Sequence, residues 1–153
     1  MQNFASIFND VIGPVMRGPS SSHTAAACRT GMMATQILNE DIAEVLVEFD
    51  KDGAWTTNYE EQGTVLGMNG GLLAIDMADN RMKIHQQIAK ERGIKIKYKI
   101  SSFENKHANS MQLSLTGMNG GNLQLLSASL GGGSFELQKV DGFPVTMKGD
   151  FYL

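Results

Sequence analysis

The sequence predicts an α+β fold, in which helices pack on one face of a mainly antiparallel sheet. Helical spacing of apolar residues dominates the first half, alternating spacing begins at residue 94, and turn signals separate short apolar segments after residue 109. Helices gathered early and strands late are typical of this class. With 153 residues, the chain has the size of one domain, and we expect a single domain over 1–153.

The chain before residue 94 contains four helical patterns. A short amphipathic helix is predicted over 4–12, and a longer one on a good helix-forming background over 23–39. Residues 64–77 are apolar but interrupted by glycines, and we interpret them as a helix packed closely on the sheet. Residues 80–92 place apolar side chains on one side and end before a glycine, which predicts a fourth helix.

The strand patterns differ from one another in their exposure. Residues 42–50 are rich in β-branched side chains and precede the turn signal Asp52-Gly53. Residues 94–100 alternate apolar side chains with lysines, which predicts an antiparallel strand with one charged face near a sheet edge. From residue 109 onward, the pattern predicts a run of hairpins.

Composition excludes several classes of function. A net charge of -3 without an Arg/Lys stripe argues against nucleic-acid binding. No apolar run approaches the roughly 20 residues of a membrane span, and no secretory signal is visible, so we expect no membrane partner and a cytoplasmic location. The lone Cys28 cannot supply the several thiolates of a metal cluster, so any metal must come mainly from elsewhere, and no metal ligand is assigned to this chain.

The segment Gly18-Pro19-Ser20-Ser21-Ser22-His23-Thr24 is the main candidate for chemistry. It lies just before a predicted helix, where free backbone N–H groups favour an anion such as a carboxylate. A neutral His23 there could accept a proton. The alternative is that Ser21 or Ser22 only caps the helix and that His23 is a solvated residue of its first turn.

Two further features have both a functional and an ordinary interpretation, and two single residues have only an ordinary one. Gly131-Gly132-Gly133 allows close approach of a ligand or chain, or forms a flexible hairpin bend. Lys106-His107-Ala108-Asn109 could bind a small ligand or order a turn, and the turn is the simpler interpretation. His85 lies on an apolar helical face, and Cys28 lies in an Ala-rich helix, so packing roles are expected for both.

The segment from Ile12 to Ala25 closely resembles the N-terminal signature of the iron–sulfur L-serine dehydratases, specifically the beta chain of the two-chain bacterial form. Gly70-Gly71-Leu72-Leu73, the His107-x-Asn109 loop and Ser129–Gly133 resemble later landmarks of the family in the correct order. The resemblance covers nearly the whole chain. It implies a fold similar to the allosteric substrate-binding domain of some phosphoglycerate dehydrogenases, which is also α+β.

The resemblance implies a subunit of a lyase, inactive alone, that converts L-serine to pyruvate and ammonia. A 4Fe–4S cluster, ligated by a partner alpha subunit and not by this chain, would act as a Lewis acid on the serine hydroxyl while a base removes the α-proton. His23 would be the catalytic residue for proton transfer. The implied substrate-binding residues are Ser20, Ser21, Ser22, Thr24, Gln62, Thr64, His107 and Asn109. A homodimer is a further partner to consider.

Two departures from the family bear on these roles. Where the family has Gly-His-x-Thr-Asp, this chain has Glu61-Gln62-Gly63-Thr64-Val65, so that Gln62 replaces a histidine and Val65 an aspartate. Gln62 can hydrogen-bond but cannot shuttle a proton near neutral pH. The alternatives are therefore a non-catalytic module that binds serine or a small carboxylate, and a dehydratase or desulfidase for threonine or cysteine. The family chain also commonly continues into an ACT regulatory module, which the 153 residues lack.

Overall fold

The structure is a computed structural model that describes residues 13–104 and 107–148. The helix predicted over 4–12 lies outside the described residues. The helices are α1 (Ala26–Leu38), α2 (Thr64–Leu72) and α3 (His85–Glu91), with a π-helical turn (Ser21–Ala25) leading into α1 and a 3₁₀ turn (Asn80–Ile84) leading into α3. The strands are β1 (Ile42–Asp50), β2 (Lys95–Ser101), β3 (Ser110–Gly117), β4 (Asn122–Gly131), β5 (Ser134–Val140) and β6 (Phe143–Lys148).

The six strands form one sheet in the order β2-β1-β3-β4-β5-β6. All neighbouring pairs are antiparallel except β1 and β2, which are parallel. The predicted α+β fold with a mainly antiparallel sheet is confirmed, as is the position of residues 94–100 at a sheet edge. The prediction that this strand is antiparallel was wrong. Helices α2 and α3 return the chain to the edge of the sheet at which β1 begins, so that β2 runs beside β1 in the same direction.

Helix α2 is shorter than the predicted 64–77 because a Schellman motif ends it. The N–H of Ile75 donates to the carbonyl of Gly70 at 2.9 Å, and the N–H of Ala74 donates to the carbonyl of Gly71 at 3.1 Å. This pairing satisfies carbonyls that the last helical turn would otherwise leave free. Ala74 adopts the left-handed conformation, φ 54°, that usually selects glycine at this position, so the end of the helix carries no recognisable stop signal.

The helix predicted over 80–92 is present but divided in two. Its first turn is 3₁₀, and the Asp79 carboxylate caps it by accepting from the N–H of Arg81 at 2.8 Å. The guanidinium of Arg81 also pairs with Asp79 at 2.7 Å. Ile84, φ -115° and ψ 22°, separates this turn from α3, which interrupts the regular helix.

Helices α1 and α2 approach each other closely through glycines. A Cβ on Gly31 would lie 2.9 Å from the backbone nitrogen of Leu72, and a Cβ on Gly71 would overlap the carbonyl of Cys28. Helix α1 also contacts β4 and β5, and its buried side chains join those of β1, β3 and β4 in the main core. The close approach fixes where α2 begins, and therefore where Thr64 lies. No helix within the residues the structure covers is long and apolar enough to cross a membrane.

Candidate functional site

The segment before the serines is held by the backbone of residues 77 and 78. The N–H of Arg17 donates to the carbonyl of Met77 at 2.8 Å, and its Nε donates to the carbonyl of Ala78 at 3.1 Å. Gly18 then turns the chain at φ 118°, and a Cβ there would meet the Thr24 side chain. This conformation requires glycine, because a side chain would be strained and would collide with Thr24.

The serines form the first turn of the long helix and surround the His23 ring. The chain enters the π-helical turn at Ser20, whose backbone is extended. The Nδ1 of His23 lies 3.1 Å from the Ser20 hydroxyl oxygen and 3.2 Å from the Ser22 hydroxyl oxygen, and these oxygens are 3.2 Å apart. The two hydroxyls therefore fix the orientation of the imidazole, with Nε2 on the opposite side.

The interpretation of this segment as an ordinary helix cap was wrong. Ser20 rather than Ser21 or Ser22 occupies the N-cap position, and its side chain makes no cap hydrogen bond. It contacts His23 instead, which leaves it no capping role. His23 is also partly buried rather than solvated, and Nε2 is buried with no hydrogen-bond partner among the described residues.

Burial lowers the pKa of His23 below its ordinary value of 6.5. The direction agrees with the expected neutral ring, although desolvation rather than the helix terminus is the cause. If the neutral imidazole carries its proton on Nδ1 and donates it to a serine oxygen, Nε2 has a free lone pair. The arrangement can therefore accept a proton at Nε2 and release it again near neutral pH.

Thr24 joins the serine turn to the segment around residue 62. Its side chain is fully buried, and its hydroxyl donates to the backbone carbonyl of Gln62 at 3.2 Å. Gly18 and Gly63 enclose it, since a Cβ on either residue would collide with the threonine side chain. The described contacts of Thr24 are thus within the protein, and they hold Gln62 next to the turn.

The segment 51–63 forms a series of turns beside the serines. Its Trp55 ring lies 5.8 Å from the His23 ring, centroid to centroid, and 5.5 Å edge-on from the Phe49 ring. The indole N–H of Trp55 and the amide oxygen of Asn58 are buried without a hydrogen-bond partner in the described part of the chain. The same holds for the Thr64 hydroxyl at the start of α2.

Sequence reasoning missed Trp55 and Asn58. A signal was available, because Trp55 is the single tryptophan and lies in a polar segment just before the departures at residues 61–65. A large aromatic side chain in such a segment needs a partner to pack on. In the structure that partner includes His23, which no periodicity could have indicated.

His107 and Asn109 lie in an ordered turn next to this segment. The Nδ1 of His107 accepts from the N–H of Asn109 at 3.1 Å, and its carbonyl accepts from the Ser110 hydroxyl at 2.6 Å. The N–H of Ala54 donates to the Ala108 carbonyl at 2.9 Å, which ties the turn to the Trp55 segment. The turn interpretation is confirmed for His107, whereas the Asn109 side-chain oxygen is buried without a partner within 13–104 and 107–148.

The triple glycine lies where the bend between β4 and β5 meets the start of the long helix. It is the bend between β4 and β5, with φ between 62° and 96°, so the hairpin interpretation is confirmed. It also makes a close approach, because a Cβ on Gly133 would lie 3.2 Å from atoms of Pro14 and Ala25. Arg29 donates to the Gly133 carbonyl at 3.0 Å, and the Ser129 hydroxyl donates to the Ser22 carbonyl at 2.8 Å.

The structure brings most of the predicted site residues into one connected region. Hydrogen bonds link the serine turn to Gln62, to β4 through Ser129, and from there to Asn109, whose carbonyl accepts from the Ser129 N–H at 2.9 Å. Ser21 is partly buried in the turn, but none of its described side-chain contacts orients His23. The predicted packing roles are confirmed for His85, which bonds Asn69 at 2.8 Å, and for the buried Cys28.

The fold and this region define an α+β domain in which uncharged polar side chains gather around an imidazole at the start of a helix. No protein-family model matches the sequence. The chain is 36% identical over 147 residues to a probable L-serine dehydratase beta chain of Bacillus subtilis (strain 168), and 31% identical over 143 residues to the L-serine dehydratase beta chain of Peptoniphilus asaccharolyticus.

These similarities cover 96% and 93% of this chain, and they support a serine dehydratase beta-chain domain in it. The match spans 65% of the length of the first relative and 64% of the second, just under two thirds of either protein.

Proposed function

We propose that this chain is the beta subunit of an iron–sulfur L-serine dehydratase, which converts L-serine to pyruvate and ammonia together with an alpha subunit that carries the cluster. The similarity to two L-serine dehydratase beta chains supports this proposal. The observation that carries it is the His23 ring, held by two serine hydroxyls with Nε2 buried and without a partner among the described residues. The pair would work in the cytoplasm, without a membrane or nucleic-acid partner.

In this proposal, Nε2 of His23 accepts the α-proton of L-serine. The electrons of the broken C–H bond form the Cα–Cβ double bond, the C–O bond at Cβ breaks with its electron pair going to oxygen, and the leaving hydroxide takes the proton from Nε2 to depart as water. The resulting aminoacrylate tautomerises and is hydrolysed to pyruvate and ammonia. The lowered pKa of His23 supports this role, because the ring stays neutral and ready to accept a proton at pH 7.

The cluster belongs to the partner chain in this proposal. Among residues 13–104 and 107–148, no group of three or more His, Cys, Asp or Glu side chains could hold a metal ion. Cys28 is fully buried inside α1, and burial raises the pKa of its thiol to about 12, which disfavours the thiolate that a cluster binds. The residues of this chain therefore account for binding and proton transfer only.

A second candidate is a module that binds serine or a small carboxylate without turning it over, and Gln62 favours it. The amide of Gln62 cannot carry a proton as the histidine typical of the family can. This candidate predicts that the pair binds L-serine but produces no pyruvate until Gln62→His is introduced. A third candidate acts on L-threonine or L-cysteine, and a substrate panel would identify it by a higher kcat/KM than for L-serine.

The test is an anaerobic reconstitution of the full chain with the cysteine-bearing alpha chain of the same organism, iron and sulfide, followed by a pyruvate assay. We expect turnover of L-serine, and we expect His23→Ala to lower kcat by roughly 10²–10⁴-fold, the usual contribution of a general base. His85→Gln is the matched control, because His85 is also buried and also has a lowered pKa but bonds Asn69 outside the site. A cluster-loaded pair without activity, or an unchanged kcat for His23→Ala, would contradict the proposal.

A further inference from the structure

Trp55 and Asn58 present two buried polar atoms that the fold leaves unsatisfied. Trp55 is 1% exposed, yet its indole N–H has no hydrogen-bond partner among the residues the structure describes. The amide oxygen of Asn58, three residues later, is also buried without a hydrogen-bond partner among those residues. Each such atom costs about 1–3 kcal/mol relative to a satisfied one, so it calls for an explanation.

These atoms are not scattered through the molecule. The described residues contain five buried side-chain polar atoms without a partner, and all five belong to the region around the serine turn: His23, Trp55, Asn58, Thr64 and Asn109. Apart from Trp55, whose ring belongs to the main core, the core and the strands contain none within the described ranges. Such clustering is typical of a site whose partner is a polar ligand.

Trp55 is fixed in position relative to His23. Its ring contacts both the Phe49 ring, which it meets edge-on at 87°, and the imidazole, which it meets at 54°. The N–H of Ala54 bonds the Ala108 carbonyl, and the N–H of Asn58 bonds the Trp55 carbonyl at 3.4 Å. The indole and the amide thus belong to one segment that is anchored beside the proposed base.

We propose that Trp55 and Asn58 bind the amino-acid substrate, an inference that rests on the proposed function. The indole N–H is a donor only and donates to the substrate carboxylate, whereas the Asn58 amide oxygen is an acceptor and accepts from the α-ammonium group. The indole and the amide are both uncharged, and an amino-acid zwitterion has no net charge. The complex therefore contains no unbalanced charge from either partner. The two residues therefore select α-amino acids over hydroxy acids and simple amines.

Entry of the ligand needs a local movement, because both atoms are shielded from solvent in this structure. The backbone of segment 51–63 is held to the rest of the fold, for example by the hydrogen bonds from Lys51 to Ser101 and from Ala54 to Ala108, so this movement is one of side chains. Once the substrate is inside, its carboxylate accepts from the Trp55 indole N–H and its ammonium group donates to the Asn58 amide oxygen.

The experiment uses the reconstituted pair and three molecules that differ in one group each. The KM for L-serine is measured together with the inhibition constants of L-glycerate, which lacks the ammonium, and ethanolamine, which lacks the carboxylate. Asn58→Leu should raise the KM for L-serine and the inhibition constant of ethanolamine by about tenfold or more, as expected for one lost bond to a charged group. The inhibition constant of L-glycerate should stay unchanged. Trp55→Phe should raise the KM for L-serine and the inhibition constant of L-glycerate, and leave the inhibition constant of ethanolamine unchanged.

Thr57→Ala is the matched control, since Thr57 is exposed in the same segment and should change none of the three values. A purely structural role for Trp55 or Asn58 would weaken all three molecules equally, and that result overturns the inference, as does a variant that weakens none. If the unmutated pair turns over L-serine normally, neither of these two results contradicts the proposed function. An unmutated pair that neither binds nor converts L-serine overturns both.

Discussion

The backbone of Gly67 in α2 lies directly against the backbone carbonyl of Thr24 in the serine turn, so that a Cβ on Gly67 would overlap the carbonyl oxygen. The two segments are 43 residues apart in sequence, 67 less 24, and the absence of one side chain lets them touch. Thr24 follows His23 directly. The position of the proposed base therefore depends on a glycine in another helix.

We expect Gly67→Ala to displace the serine turn and to reduce stability by about 1–3 kcal/mol, the usual cost of overpacking a tight contact. Urea denaturation measures the loss. Gly13→Ala is the control, because a Cβ on Gly13 meets no atom within 4 Å. Equal stability of the two variants would show that the helices can separate without cost.

Ala74→Gly should stabilise the chain by about 0.5–1 kcal/mol. Ala74 is exposed and holds φ 54°, where a Cβ costs about 1–2 kcal/mol, while the added freedom of glycine in the unfolded chain takes back about 0.4–1 kcal/mol. A higher midpoint of thermal unfolding would confirm the gain. Ala74→Val, with a branched side chain at the same angle, should lower the midpoint; a higher midpoint for valine would count against this reasoning.

Stability should fall as the pH decreases below the ordinary histidine pKa of 6.5. Burial lowers the pKa of both His23 and His85 in the folded chain, so the unfolded chain binds protons first as pH falls through 6.5. The free energy of unfolding then decreases until the folded-state pKa values are reached, and this contribution is constant above 6.5. For His85 the structural reason is direct, because Nδ1 accepts from the Asn69 amide at 2.8 Å and must stay unprotonated.

Urea denaturation from about pH 8 to about pH 5.5 measures this slope. The double variant His23→Gln, His85→Gln should have a flatter slope than the unmutated chain, whatever its absolute stability. An identical slope in the variant would assign the pH dependence to other groups.

Cys28 should resist thiol reagents in the folded chain. Burial raises the pKa of its thiol to about 12, so at about pH 8 its thiolate fraction is roughly a thousandfold below that of an ordinary cysteine. A disulfide reagent should therefore react at least that much more slowly with the folded chain than with the chain unfolded in guanidinium. The single cysteine makes the assignment unambiguous, and rapid labelling of the folded chain would contradict the burial.

The sequence allowed the element types and the α+β class to be predicted, but not the direction of β2. Alternation over residues 94–100 indicates one wet and one dry face, and a parallel edge strand has the same pattern as an antiparallel one. The direction depends on the path of the crossover through α2 and α3. The end of α2 was missed for a local reason, since Ala74 adopts an angle for which alanine is not a recognised signal.

The site was predicted as far as its linear motif reached. His23 and its serines are adjacent in sequence, so their association could be inferred from seven residues. The segment that contains Trp55 and Asn58 is tied to the site by the hydrogen bond from the Ala54 N–H to the Ala108 carbonyl, a contact between distant parts of the sequence that no local pattern encodes. The hydroxyl contacts to Nδ1, which overturned the helix-cap interpretation, likewise depend on side-chain geometry rather than on composition.

The alternating lysines of β2 have a consequence for the behaviour of the molecule in concentrated solution. Lys95, Lys97 and Lys99 are exposed on the strand at the end of the sheet, and Lys97 and Lys99 pair with Glu44 and Glu48 on the neighbouring strand β1. A second molecule that added a strand there would bring another like-charged row against this one. The lysines therefore protect a strand that is otherwise open to intermolecular pairing, and aggregation by sheet extension is disfavoured at this edge.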